Sequence, residues 1–340
     1  KGKGYEPAEN DPVGYHALAK IDPVETVVTK HGATYAQVFG QWVCDQADTD
    51  DRLMAITPAM IGGSGLEPFA QQHGNRLFDV AIAEQHALTL AAGMACEGAK
   101  PIVAIYSTFL QRGYDQLIHD IVLQDLDILL AIDRAGVVGE DGATHTGAYD
   151  LAFLRCLPNL VVMAPSSAAE TSAMLSFGFH HQGPAAVRYP RGEAFAELPL
   201  VTPIELGKGQ VLQTAIKPNA IAVLNFGALL DKAIVVAEAY DATLVDMRFV
   251  KPLDEVLLHQ LLNQHMGFVT IEDHSCIGGA GSAVSEWLVQ QESKVRLLCL
   301  GHEDAALPHG SRDQGLHHTG LSVTAMVAKV AEWQAQLLAK

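Results

Sequence analysis

Short apolar runs alternate with helical patterns twice along this chain, which predicts an α/β protein of two successive domains with mostly parallel sheets. Three observations carry that prediction. The apolar runs are four to seven residues long and sit between segments of helical periodicity, as a sheet covered on both faces requires. Hydrophobic residues make up 49% of the chain but aromatic ones only 6%, the Ala/Val/Leu/Ile-rich packing of α/β cores. The chain of 340 residues is long enough for two cores of ordinary size.

Residues 1–32 are rich in Pro, Gly and charge with weak periodicity, and predict a leading arm or linker. The α/β rhythm starts at Thr34, with a helix over 35–47, a strand over 53–56 and a Gly-rich turn at Gly62, Gly63 and Gly65. An apolar strand-like run over 79–83 leads into a helix that opens at Glu84 and continues through 87–96. A strand at 101–106, a helix at 114–123 and a strand at 127–133 follow. Beyond a long loop come a strand at 160–163, a helix at 168–179 and a strand at 185–189, completing a first domain over 33–197. Pro199, Pro203 and Pro218 mark residues 198–218 as an interdomain linker. The second domain, 219–340, has strands at 221–225, 243–247, 267–271 and 294–300, with a last amphipathic helix over 323–338.

A net charge of −17 argues against nucleic acid or an anionic membrane as partners. Any phosphate-bearing substrate must be held by a few local arginines. Five scattered cysteines without a CxxC pair fit a reducing cytoplasm. No apolar run is long enough to span a bilayer and no signal peptide opens the chain; it begins at Lys1 without a methionine, in the manner of an excerpt.

Open α/β sheets bind ligands where their strands end, and four segments sit there. Glu84 opens a helix of Ala, Leu, Gly and Met that reads as buried. A buried carboxylate needs a proton, a cation or a strong donor; complementing the helix dipole, worth ~0.3–1 kcal/mol, is the plainer alternative. In Tyr106 to Arg112 an aromatic pair and an arginine could hold a flat ring or an anion, or Phe109 could plug the core while Arg112 caps a helix. The loop from Asp133 to Gly147 is long, Gly-rich and loaded with Asp, His and Arg, which favours function over a surface turn. In it Asp141 and His145 could form an acid/base or orienting pair. The segment from Val187 to Gly192 offers Arg188 and Arg191, either as anion ligands or as ordinary ion-pair partners.

In the second domain the segment from Thr270 to His274 leads into Gly278, Gly279 and Gly281, but the spacing does not match a dinucleotide fingerprint. A tight turn with close helix–sheet packing fits better. His180, His181, His302, His309, His317 and His318 lack helical spacing and nearby thiolates, so no metal site is expected among them.

Eight stretches together resemble one family: KGKGYEPAE (1–9), ITPAM (56–60), DVAIAEQHALT (79–89), KPIVAIYSTFLQRGYDQ (100–116), DRAGVVGEDGATHTGAYDL (133–151), AVRYPRG (186–192), LVDMRFVKPLD (244–254) and GGAGSAV (278–284). They are similar to the 1-deoxy-D-xylulose-5-phosphate synthases, thiamin diphosphate enzymes of the transketolase superfamily. YSTFLQR together with GEDGATH points to this family within the superfamily. The resemblance implies a pyrimidine-binding domain followed by a transketolase C-terminal domain. It implies condensation of pyruvate with D-glyceraldehyde 3-phosphate to 1-deoxy-D-xylulose 5-phosphate and CO2, feeding isoprenoid, thiamin and pyridoxal biosynthesis.

The same resemblance assigns roles. Glu84 would hydrogen-bond N1′ of the cofactor's aminopyrimidine, favouring the imino tautomer that deprotonates the thiazolium; a raised carboxyl pKa suits that bond. Phe109 would pack on the pyrimidine, with Tyr106 beside the cofactor. Arg134 and Arg191 would anchor the aldehyde's phosphate, with Tyr106 and Arg112 nearby. Asp141 and His145 would line the acceptor pocket, and His16 would stand near the reacting carbon. Thr146 follows His145 where many members carry a second His or a Gln. The superfamily's Mg2+- and diphosphate-binding GDG motif does not occur here. The chain thus resembles the C-terminal two-thirds of such an enzyme, with Mg2+ ligands expected on an N-terminal domain outside it. A homodimer in the cytoplasm is the implied assembly. Two alternatives stay open: the β subunit of a 2-oxo acid dehydrogenase E1 component, and a non-catalytic fragment acting only in dimerisation.

Overall fold

The structure, a computed structural model, describes residues 2–12, 14–15, 32–195, 202–218 and 220–338. By internal contacts the chain divides into Lys1–His31 and Gly32–Lys340. The first unit contains the short helix Glu6–Asn10, opened by a proline in its first turn. The second contains both expected α/β rhythms.

Seven strands form one sheet: β1 (Leu53–Thr57), β2 (Leu77–Asp79), β3 (Lys100–Tyr106), β4 (Leu129–Asp133), β5 (Val161–Met163), β6 (Ala185–Arg188) and, from much later in the chain, β10 (Phe249–Lys251). Their order is β10-β5-β6-β4-β3-β1-β2. A second sheet of order β12-β11-β8-β9-β7 joins β7 (Gln210–Gln213), β8 (Ile221–Phe226), β9 (Thr243–Asp246), β11 (Gly267–Ser275) and β12 (Arg296–His302). Pairing is parallel except at β10 on β5 and β7 on β9. Two mostly parallel α/β sheets are the fold class that the sequence predicts.

The continuous apolar runs follow from burial on both faces. Along β3, Val103 and Ile105 enter one core while Ile102 and Ala104 enter the other, because successive side chains of a strand point oppositely. The first of these cores continues into the second domain through Ala222, Leu224, Phe226 and Phe268. Helix starts are capped by side chains: Thr34 and Gln37 form a capping box for Tyr35–Thr49, and Ser167 accepts from Glu170 N–H for Ala168–His180.

Three local expectations are corrected. The run 80–83 is not a strand; β2 ends at Asp79, and Ile82 is 72% exposed. The segment read as linker contributes β7, a four-residue edge strand with only two apolar residues and none fully buried, so it leaves no apolar run. The helix expected over 114–123 widens to a π-helical turn at Leu117–Val122.

β10 is the largest surprise. Three residues after β9 ends in the second sheet, the chain adds Phe249 opposite Met163 on the edge of the first. Arg248, at φ 58°, makes that crossing and is buried. Its Nε donates to Glu170 Oε1 at 2.7 Å and its Nη1 to Thr202 Oγ1 at 2.9 Å. Ser166 Oγ lies 2.8 Å from Glu170 Oε2 and against Asp246 Oδ2. One hydroxyl proton cannot serve two carboxylates, so one of the acids donates in turn. Asp246 is that acid: burial, then the neighbouring Glu170 charge, pushes its carboxyl far above the usual range.

The end of β11 makes a second junction. His274 Nδ1 donates to Ser275 O at 2.7 Å, which leaves Nε2 to accept Leu151 N–H at 3.1 Å. Burial pushes the His274 pKa down to about 4; Asp150 opposes this and Arg188 adds to it. Beside it, Arg188 Nε donates to Asp150 Oδ2 at 2.8 Å, both groups being buried.

Two outcomes follow for stability. Asp246→Asn, which mimics the protonated acid, should keep the urea midpoint at neutral pH, whereas Arg248→Met strands Glu170 and should cost about 3–5 kcal/mol. His274 is neutral in the fold, with a pKa below its ordinary value. Its contribution is therefore complete above pH ~6.5 and is lost as pH falls from there through about 4. Urea midpoints measured across that window should drop less steeply in His274→Asn, which can still accept the Leu151 amide.

Candidate active site

The parallel strands of the first sheet deliver their last residues to one edge: Tyr106 closes β3, Asp133 closes β4 and Arg188 closes β6. Glu84 is the first residue of the helix Glu84–Cys96 and is 3% exposed. The helix is not buried all round. Ala87, Leu88, Ala91 and Ala92 face the core with Glu84, while Gln85, His86, Thr89 and Gly93 are exposed. Arg112 Nη1 stands 3.2 Å from Glu84 Oε2, at ion-pair distance but misaligned, so that buried oxygen has no hydrogen-bond donor. Gly113 lets the following turn press on the helix, since a Cβ there would meet Leu88 Cδ1 at 2.6 Å and Glu84 O at 3.2 Å.

An aromatic wall continues from β3. Tyr106 and Phe109 stack at 5.1 Å and 12°, and His145 meets Phe109 edge-on at 5.6 Å. Burial pushes the Tyr106 hydroxyl up to about 12, so it keeps its proton. Gly63 makes room for that hydroxyl, which would lie 2.0 Å from a Cβ at position 63. The Arg134 guanidinium lies over the Tyr106 ring, 4.3 Å from its centroid.

Arg134 adopts φ 58°, an uncommon conformation for a side-chain-bearing residue and one that clusters at functional sites. Asp133 holds it there by accepting its N–H at 2.6 Å and pairing with its guanidinium, which also donates to Gly63 O at 2.8 Å. Burial pushes the Asp133 carboxyl up to about 6, against the opposing pull of Arg134. Arg191 Nη1 donates to Val138 O at 3.1 Å, Glu140 Oε2 at 3.2 Å and Asp141 Oδ2 at 3.0 Å. Arg134 and Arg191 line one cleft of about 360 Å³ with Gly62, Gly63 and Gln37. His145 Nδ1 pairs with Thr144 Oγ1 at 2.9 Å, and Thr146 Oγ1 donates back to Gly142 O at 3.1 Å.

The expected residues thus fall into two adjoining groups, Glu84 with Arg112, and Tyr106, Phe109, His145, Arg134, Arg191 and Asp141. Arg112 lies against Glu84 and does not line the cleft with the other two arginines. Of the two arginines in the segment 187–192, only Arg191 lines it; Arg188 is spent on Asp150. His16 lies outside the described residues. Sequence reasoning missed Asp150, Asp273 and Arg312, whose partners are distant in the chain. The glycines after β11 do serve close packing: Glu272 accepts Ala280 N–H at 2.6 Å and Gly281 N–H at 2.8 Å. Among the described residues no group of three or more His, Cys, Asp or Glu could hold a metal ion, and no helix is long and apolar enough to cross a membrane.

Residues 31–195 match the transketolase pyrimidine-binding domain and residues 208–326 the transketolase C-terminal domain. The 1-deoxy-D-xylulose-5-phosphate synthase of Pseudomonas entomophila (strain L48) is 54% identical over 99% of this chain and 54% of its own length. That of Thioalkalivibrio sulfidiphilus (strain HL-EbGR7) is 55% identical over 97% of this chain and 52% of its own. A solved split-gene transketolase, titled an inactive β4 tetramer, superposes with a TM-score of 0.80 at 27% identity, covering 88% of this chain and 98% of that one. Transketolase from Campylobacter jejuni subsp. jejuni NCTC 11168 shares the fold, with a TM-score of 0.74 at 15% identity over 97% of this chain and 50% of that one. The chain spans about half the length of the curated relatives it matches, a smaller share than two-thirds. With both domain matches in place and more than half of its residues identical to those relatives, the chain belongs to the 1-deoxy-D-xylulose-5-phosphate synthase family of the transketolase superfamily.

Proposed function

We propose that this chain carries the pyrimidine-side half of a thiamin diphosphate site and the acceptor-phosphate site of an enzyme that joins pyruvate to D-glyceraldehyde 3-phosphate, giving 1-deoxy-D-xylulose 5-phosphate and CO2. The observation that carries the reading is the buried Glu84 oxygen without a hydrogen-bond donor, on a helix whose Ala87 and Leu88 share a core with Phe109. A buried unsatisfied oxygen costs about 1–3 kcal/mol, and a proton shared with a ring nitrogen of the cofactor's pyrimidine would relieve it. The aromatic face of Phe109 suits the same flat ring. When bound, thiamin diphosphate supplies the nucleophilic carbon and electron sink that a 2-oxo acid needs to lose CO2 and join an aldehyde.

The remaining work falls to the chain's own side chains. Glu84 shares a proton with the pyrimidine nitrogen, with Arg112 opposing its charge. Arg134 and Arg191 bind the aldehyde's phosphate, the latter exchanging Asp141 and Glu140 for it. His145 and Asp141, on the loop that meets Arg191, orient the acceptor carbonyl and supply the proton its oxygen takes up. His16 belongs near the reacting carbon on the family resemblance alone. In this reading Mg2+ and the diphosphate are held by residues outside 1–340, and the enzyme is a cytoplasmic homodimer. Similarity to curated synthases over nearly the whole chain supports this reading over a 2-oxo acid dehydrogenase β subunit. Likeness to a split-gene chain titled inactive supports a further point, that residues 1–340 alone do not turn over.

In the holoenzyme, Glu84→Ala should lower CO2 release from pyruvate by about 10²–10⁴-fold. Near-normal turnover would show the cofactor reading to be wrong. Arg191→Ala should leave CO2 release intact and raise KM for the phosphorylated aldehyde by roughly 10- to 100-fold, as loss of a charge-assisted hydrogen bond predicts. Calorimetry on residues 1–340 should detect only weak thiamin diphosphate binding; tight Mg2+-dependent binding to them contradicts the half-site.

A further inference from the structure

The loop that carries Asp141 and His145 is gripped at both arms and at its tip by the second domain, while Arg191 of the first domain holds Val138, Glu140 and Asp141. Gly136 and Gly147 exchange hydrogen bonds at 2.8 and 3.0 Å, closing residues 137–146 into a projecting loop. On its incoming arm, Asp273 Oδ1 accepts Val137 N–H at 3.0 Å. Gly136, at φ +75°, packs so tightly there that a Cβ would lie 2.2 Å from Asp273 Cγ. The carboxylate is itself fixed by His302 Nε2 and Arg312 Nη2, each at 2.9 Å. Burial favours its neutral form, yet those two partners hold the Asp273 carboxyl well below the usual range.

On the outgoing arm, Ser275 N–H donates to Ala148 O at 3.0 Å and His274 accepts Leu151 N–H at 3.1 Å. Arg188 Nη2 bridges the two sides, reaching Asp273 O at 3.1 Å and Gly147 O at 3.4 Å. At the tip, His309 Nδ1 donates to Glu140 O at 2.9 Å, and its ring would lie 2.5 Å from a Cβ on Gly142. Successive strand residues point to opposite faces, so one strand end can reach both arms.

We propose that Asp273, held by His302 and Arg312, is a positioning residue that fixes the loop 136–151 so that Asp141 and His145 meet the aldehyde acceptor. This makes the second domain a determinant of acceptor use, and it rests on the function proposed above. Asp273 touches neither substrate nor cofactor; it acts through the Val137 amide and the shape of the loop. Its influence falls mainly on the second half-reaction, because Glu84 and Phe109 are anchored on other segments and the loop meets Phe109 only through the edge of His145.

The test compares the holoenzyme with Asp273→Ala, Asp273→Asn and His302→Ala. In Asp273→Ala, amide exchange across 136–151 should rise at least tenfold while β1 and β3 stay protected. KM for the aldehyde should rise about tenfold, with CO2 release from pyruvate within twofold of wild type. Asp273→Asn keeps an acceptor for Val137 N–H and should restore most of both effects. His302→Ala should show the same pattern more weakly, and it reads the loop if Asp273→Ala fails to fold. Unchanged loop exchange in a folded variant, or an equal fall in both half-reactions, overturns the proposal. If wild type supplied with both substrates releases no CO2 from pyruvate, the functional reading fails by itself, and exchange across 136–151 still decides whether Asp273 grips the loop.

Discussion

Glu272, Asp273, His274 and Ser275 end a strand whose nine residues are all buried. Four polar side chains at a buried strand end must each find partners, because a buried polar group left unpaired costs about 1–3 kcal/mol. Glu272 finds the amides that open the helix Ala280–Gln290, Asp273 and His274 find amides of the first domain's long loop, and Ser275 finds the Ile277 amide. That requirement couples the two sheets. The second domain cannot shift against the loop 133–151 without stranding a carboxylate, an imidazole and several backbone amides together. β10 and the Arg248–Glu170 pair fasten the opposite edge in the same way.

Electrostatics at the site run against the charge of the whole molecule. The chain carries −17, yet the cleft presents two guanidinium groups. Each is already neutralised locally, Arg134 by the buried Asp133 and Arg191 by Glu140 and Asp141. The two pairings differ in character. Asp133 is buried and fixes Arg134 over Tyr106, whereas Glu140 and Asp141 are partly exposed and can yield Arg191 to an incoming anion. A phosphate would therefore meet one rigid and one exchangeable arginine.

Much of this was legible in the sequence. Alternating apolar runs gave nearly every strand of both sheets, because fully buried strands leave an uninterrupted apolar signature. β2 and β10 leave none, since each has only two apolar residues before a charged one, whereas the equally short but wholly apolar β5 was legible. Glu84 was recognisable as a carboxylate at the start of a helix with a buried face. Its one-sided exposure was not, because Ala, Gly and Thr suit either face of a helix.

Local order along the chain thus determined the element sequence, the α/β class and the family, through stretches that lie in single segments. Tertiary structure decided which charged side chains reach the cleft. Arg188 and Arg191 are three residues apart, yet one is spent on Asp150 and the other opens to the cleft. Arg112 went to Glu84, and Asp273 went to an amide 136 residues earlier. Such pairings depend on the positions to which distant strands bring their ends, and no periodicity in a single segment encodes that.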